Sequence, residues 1–315
     1  MQRGEDRPNR SNRSNRAAPI PAPVIAACVT TTLTLVYSAP TPGVGSRYAD
    51  TGASHESRVL SAVPAREALS GLAADGGAAV TAGGVGEAVL EAVRGALLLG
   101  ADAGQRAAAM LAPLVSSAAT GEAASRVLSR LGASEVAPFA RALDLAGDPG
   151  PLRGALSLAL GGSGEGRETT LREVMRFTAS RDPLAREYAR DYEVTRGLVE
   201  PALLSSLSRA ESARASLVQS YLEVLSEVPD LDVARRAGRQ EAEEVSRMAR
   251  GALKSGGTHS RRGLQAVQNL DGILRADSRL SPTATEPYVI SAAFLVSLAY
   301  GPDALVGRLR PATGG

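Results

Sequence analysis

Two runs in the second half of the chain repeat their apolar residues at helical spacing, and nowhere does the sequence alternate as a half-buried strand would. Leu217, Val218, Tyr221, Leu222, Leu225 and Val228 fall on one helix face, and Ala242, Val245, Ala249, Ala252 and Leu253 on another. No hairpin turn stands between β-branched runs, and no fixed-period repeat is present. The fold class that follows is all-α. At 315 residues and 44% hydrophobic, the chain can bury a core of full domain size. Aromatics are 3% and Trp is absent, so that core must be Leu, Val and Ala. The expected organisation is one multi-helix domain over 17–310 after a disordered, Arg-rich tail at 1–16, MQRGEDRPNRSNRSNR.

The stretch from Ala17 to Ser46 carries no charge and follows arginines, which imitates a signal peptide or a membrane span. Three prolines at 19, 21 and 23, and threonines at 30, 31, 32 and 34, argue against a span. The helix-compatible part, Val24 to Tyr37, is shorter than the ~20 residues a span needs. It reads as a buried first helix. A Pro/Gly loop follows, then helical patterns at Glu56–Ala73, Val85–Leu99, Gln105–Ser117, Glu122–Leu131 and Val136–Ala146. Gly161–Gly166 is a flexible connector without the lysine of a phosphate-binding loop. Further helices are expected from Pro183, with Asp182 as cap, at Ser260–Leu274 and at Pro287–Tyr300.

Several function classes fall away on composition. A net charge of +2 makes no electrostatic case for nucleic acid. His55, His259 and Cys28 cannot build a Cys/His zinc cluster, and no Gly-x-Ser-x-Gly elbow supports a serine triad. One cysteine forms no internal disulfide and suits a reducing, cytoplasmic setting.

Acids and arginines are most closely patterned between Arg172 and Gly257. Asp182, Arg186, Glu187, Arg190, Asp191 and Glu193 lie on one predicted helix, and Asp230, Asp232, Arg235 and Arg236 follow Pro229. Asp230 reads both as a helix N-cap and as a catalytic carboxylate. Asp50, in the Pro/Gly loop after Arg47 and Tyr48, is a second candidate. Either carboxylate suits Mg²⁺. Arg47, Arg235 and Arg236 can fork onto phosphate oxygens. Glu193 is balanced between a ligand role and a solvated charge, and Glu187 leans to a solvated charge.

In the same stretch, Asp182-Pro183-Leu184-Ala185-Arg186-Glu187-Tyr188, then Tyr192-Glu193-Val194-Thr195, Val228-Pro229-Asp230, Ala234-Arg235 and Glu244-Val245-Ser246 stand in an order that resembles the triphosphoribosyl-dephospho-CoA synthase family, in particular its archaeal branch. The resemblance reaches back to Ser38–Gly43, Arg47–Thr51 and Leu60–Ala62, and forward to Ser281–Glu286 and Ser291–Leu295. It implies an all-α enzyme that joins the triphosphoribosyl part of ATP to a ribose hydroxyl of 3′-dephospho-CoA and releases adenine. The product is a precursor of a carrier-protein prosthetic group. It implies ATP, a dephospho-CoA-like acceptor and Mg²⁺; the charge balance and the proline-broken first helix add the expectation of no nucleic acid or membrane partner. The family's Pro-Lys-Pro-Gly-Asn loop stands here as Pro40-Thr41-Pro42-Gly43-Val44, and its Gly-Asn-Thr-Asn as Gly100-Ala101-Asp102-Ala103. Its late Asp corresponds to Glu286. The resemblance thereby adds Asp102 and Glu286 as substrate-binding candidates. The alternative is a relative of the same fold that binds a nucleotide or partner without catalysis.

Overall fold

The structure is a computed structural model that describes residues 18–49, 54–75, 84–161, 168–209 and 212–306. The tail at 1–16, Asp50 and the connector from 162 to 166 lie outside these residues. In chain order the helices are α1 (Ala22–Ser38), α2 (His55–Leu60), α3 (Ala62–Ala74), α4 (Gly84–Leu98), α5 (Gln105–Thr120), α6 (Ala124–Ser129), α7 (Val136–Leu145) and α8 (Pro151–Gly161). They continue as α9 (Leu171–Thr178), α10 (Pro183–Ala189), α11 (Glu200–Arg209), α12 (Ala213–Glu227), α13 (Leu231–Arg236), α14 (Arg239–Lys254), α15 (Arg261–Ala276) and α16 (Glu286–Tyr300). Among the described residues the extended pairing is limited to one bridge, Ser46 with Ala49. The chain is all-α, as its periodicity requires.

Charge placement decides which helices lie at the centre. Helix α1 has no charged residue, and α5 and α16 have one each, Arg106 and Glu286, both in the first turn. A helix without charge can be buried on every side, and these three pack on one another. Residues 107–116 of α5 are buried without interruption. Helices α3 and α4 cover one flank, α7 to α10 a second, and α11 to α15 a third. The buried first helix expected over 24–37 is α1. Among the described residues no helix is long and apolar enough to cross a membrane.

Helix α5 carries Pro113 in its interior. A proline there has no N–H for the carbonyl four residues earlier, Ala109. The buried Tyr188 hydroxyl donates to that carbonyl at 2.6 Å, and Tyr192 donates to Met110 at 2.7 Å. The flank around α10 is thus bonded into the central helix.

That bonding corrects the single helix expected over 182–193. Helix α10 stops at Ala189, and Asp191 and Tyr192 take φ of 53° and 61°. Left-handed backbone costs a non-glycine residue about 1–2 kcal/mol. Here it turns the Tyr192 ring into the core, where the side chain is fully buried. Glu187 is also not solvated. It is 0% exposed, and its carboxylate accepts the Val194 and Thr195 N–H groups, closing the π turn at Thr195–Val199. The helix expected over 56–73 is two helices, because Pro64 has no N–H for the Leu60 carbonyl.

Candidate active site

The charged residues of the central helices meet at one end. There α1 ends, with Tyr37 in its last turn, while α5 and α16 begin, and a cleft of about 270 Å³ opens between them. Most helices that begin nearby carry a side-chain cap. Asp182 caps α10, Asp230 caps α13 and Ser54 caps α2. Helix α5 instead starts from Gly104 at φ 59° with no side-chain cap, and α16 starts from Thr285 with none. Uncapped first turns present N–H groups and the positive end of the helix dipole, which favour anions.

Loops complete the walls. The Tyr221 hydroxyl, buried on α12, lies 3.3 Å from the Pro42 carbonyl and 3.1 Å from that of Pro282, and so holds both the 40–45 and the 281–285 loops. The Gly43 N–H donates to Asp271 at 2.8 Å, and Arg275 donates to the Val44 carbonyl. Gly43 has φ 72°, and a Cβ there would stand 2.7 Å from Leu274 Cβ, so only glycine fits. Thr41, where the resemblance puts lysine, is buried and donates to the Ala39 carbonyl.

Four arginines, Arg58, Arg106, Arg235 and Arg236, and four acids, Asp102, Asp148, Asp232 and Glu286, line the cleft. Arg106 bridges two of the acids, with Nε 3.2 Å from Asp148 and Nη1 2.5 Å from Asp232. Asp148 also accepts from Gln105 and the Gly150 N–H, and Asp232 from the Thr283 hydroxyl at 2.7 Å. Burial alone would raise both carboxyls. The Arg106 charge and these hydrogen bonds outweigh it and hold both below the usual range. Arg58 lies over the Tyr37 ring at 4.5 Å and binds Glu286 and the Gly45 carbonyl. Arg236 spans to the Ser281 carbonyl and Thr283.

Asp102 differs from the other three acids. Its backbone N–H is fixed by the Ser57 hydroxyl at 2.7 Å, and its Oδ1 accepts the Gly104 N–H at 3.0 Å. Its Oδ2 accepts no hydrogen bond, and no arginine pairs with it among the described residues. It is in no ion pair among the described residues, although the Arg58 charge acts on it.

Of the residues singled out in the sequence, the cleft gathers Asp102, Arg235, Arg236 and Glu286. Asp230 stands one layer behind. Its Oδ1 accepts the Asp232 and Val233 N–H groups, and its Oδ2 the Thr285 hydroxyl at 2.8 Å. Burial, then the Asp232 charge, pushes its carboxyl up to about 6. Glu193 is exposed and pairs with Arg190 at 3.3 Å, away from the cleft. Arg47 is exposed and does not line it. Asp50 lies outside the described residues. Sequence reasoning passed over Arg58, Arg106 and Asp148. A larger groove of about 820 Å³ between α3 and α4 is lined by apolar residues and by the exposed charges Glu67, Asp75, Glu87, Glu91 and Arg94.

Residues 24–304 match the CitG family, described as ATP:dephospho-CoA triphosphoribosyl transferase. No curated protein sequence matches the chain. A crystal structure from Archaeoglobus fulgidus, assigned as a triphosphoribosyl-dephospho-CoA synthase, is similar with a TM-score of 0.57. It shares 21% identity, and the match covers 76% of this chain and 97% of that one. At that identity the likeness speaks for the fold.

Proposed function

The chain belongs to the CitG family of ATP:dephospho-CoA triphosphoribosyl transferases, and from that premise we propose that its cleft joins the triphosphoribosyl part of ATP to a ribose hydroxyl of 3′-dephospho-CoA. The bond between the sugar carbon C1′ and adenine breaks, a bond from C1′ to the acceptor oxygen forms, and the hydroxyl proton is passed on as adenine leaves. The observation that carries this reading is the meeting of three features in one cleft: the uncapped N-terminus of α5, the arginines Arg235 and Arg236, and a carboxylate in no ion pair among the described residues, Asp102.

Each feature has a part. The triphosphate lies against the first turn of α5 and the two arginines, which supply N–H donors and positive charge. Asp102 takes the proton of the attacking hydroxyl. Asp102 and Glu286 supply negative charge to the cationic sugar carbon, as carboxylates do in glycoside hydrolysis. Asp230 acts through Asp232 and Thr285, and is a positioning residue.

Magnesium is implied by the use of ATP. The described residues do not build a protein cage for it. No group of three or more possible ligands converges among them, and both oxygens of Asp148, Asp230 and Asp232 are engaged. Magnesium would travel with the nucleotide's phosphates. A cytoplasmic site of action, where ATP is available, goes with this reading and with the single buried cysteine.

Chromatography of a mixture with ATP and dephospho-CoA tests the reaction. Adenine is the expected product from ATP, and ADP or AMP in its place overturns the reading.

A further inference from the structure

The groove between α3 and α4 combines an apolar lining with an acidic rim. Pro64, Ala68, Leu72 and Ala88 line it, and Leu98 stands at one end with 87% of its surface exposed. Four exposed carboxylates, Glu67, Asp75, Glu87 and Glu91, less one cation, Arg94, leave it a charge of −3. Arg94 is taken by Glu91 at 2.8 Å. Glu67, Asp75 and Glu87 are in no ion pair among the described residues.

We infer that this groove is the docking site of the chain's own arginine-rich segment, residues 1–16. Arg3, Arg7, Arg10, Arg13 and Arg16, less Glu5 and Asp6, give that segment a charge of +3. A guanidinium forks onto a carboxylate, and the three-carbon stem behind it covers apolar surface. One residue type thus meets both the rim and the lining. A second copy of the chain seated here would set −3 against −3, and a purely apolar partner would leave the carboxylates unmatched.

The segment enters the described fold at the matching end of the bundle. Just after it, the Ile20 N–H donates to the Ala118 carbonyl at 2.9 Å, so α1 starts where α5 finishes. Helix α3 starts at the opposite end, since a Cβ on Gly104, the residue before α5, would stand 3.1 Å from Ser61 Oγ. It then packs along α1 and α5, which carries Asp75, just past its last residue, toward the end where the segment enters. Helix α4 runs back the other way. Its Gly86 N–H is bonded to Glu135, beyond α6, and its last turn leads to Asp102 in the cleft. Asp75 and Glu87 are therefore the near end of the groove, and Leu98 the far end. Helix α3 has 13 residues, about 20 Å. The 17 residues before Ala18 reach at most roughly 55–60 Å, enough to cover that length.

Single exposed ion pairs contribute little. A tethered segment needs little from each, because its local concentration at the groove is on the order of millimolar. Salt weakens every such pair.

Disulfide trapping in the full chain tests the inference. Ser11→Cys is combined with Gly71→Cys in the groove, and separately with Gly251→Cys on α14. Both glycines are exposed, and a Cβ at either meets nothing within 4 Å. The native Cys28 is fully buried and does not compete. Under mild oxidation the bond to the groove is expected to form within one chain, about tenfold or more faster than the bond to α14. Adding Glu67→Arg and Glu87→Arg should bring the groove rate within ~3-fold of the α14 rate, and raising the salt without those changes should do the same. The salt series decides the matter if the charge reversals disturb the fold. A groove rate that ignores both salt and charge reversal overturns the inference. Bonds formed mainly between two chains also overturn it, and give the groove to a second copy.

Discussion

The Tyr188 hydroxyl lies 2.6 Å from the Ala109 carbonyl, the one carbonyl of α5 that Pro113 leaves without its helical partner. Both groups are buried, so the bond answers a helix defect that water cannot reach. Tyr188→Phe should therefore cost about 1–3 kcal/mol, the penalty for an unpaired buried carbonyl. Tyr192→Phe should cost less, because the Met110 carbonyl keeps its helical partner at Leu114. Urea unfolding of both variants checks the order, and equal losses would refute the account of Pro113.

Asp102 and Asp230 should separate in kinetics. Asp102→Asn is expected to lower adenine release by ~10²-fold or more, as loss of a general base does. Asp230→Asn should lower it less than tenfold, since Asn caps a helix about as well as Asp. It also removes a buried charge whose carboxyl already sits at about 6. The kcat of each variant, measured by adenine production, distinguishes them. A silent Asp102→Asn would remove it from catalysis.

Glu135 gives the stability a pH dependence of known sign. It is 0% exposed, it accepts the Gly86 N–H, and its Oε1 has no partner. Burial raises its carboxyl from 4.5 to about 7. The folded chain therefore keeps a proton that the unfolded chain gives up. The contribution is full below about pH 4.5 and is lost as pH rises through 7. Asp230, Asp182 and Glu187 act in the same direction. Glu135→Gln should flatten the fall in stability between pH 5 and pH 8 by roughly 1–3 kcal/mol. Thermal melts across that range would show parallel curves if Glu135 ionises freely.

Gly43 ties packing to binding. Gly43→Ala meets both the positive φ and the Leu274 side chain, and should cost about 2 kcal/mol or more. Val44 and Gly45 line the cleft just after it. Affinity for ATP should fall along with stability. Loss of stability at unchanged affinity would mean that the loop does not shape the nucleotide site.

Helical spacing made the fold class legible because α12 and α14 each have one apolar face. The break at Asp191 was not legible. Charges at helical spacing from Asp182 to Glu193 look the same whether the helix continues or turns, and what turns it is a ring bonding to Met110, 82 residues away. The same holds for the cleft. Arg235, Arg236 and Asp232 stand close in sequence, and the resemblance adds Asp102 and Glu286. Arg106 reads as an ordinary first-turn charge, since its partners are 42 and 126 residues away. Arg58 reads as a surface charge on a short helix, and only its place over Tyr37 shows otherwise.

The cleft's four arginines and four acids cancel. Seen from more than a Debye length, about 10 Å at moderate salt, such a set has almost no field. The described lining of the cleft therefore adds little long-range attraction for a nucleotide. What the cleft offers a polyanion begins only at contact, where it can trade one fixed partner for another. Selection at this site is consequently exerted after arrival, on how long a molecule stays rather than on how often it comes.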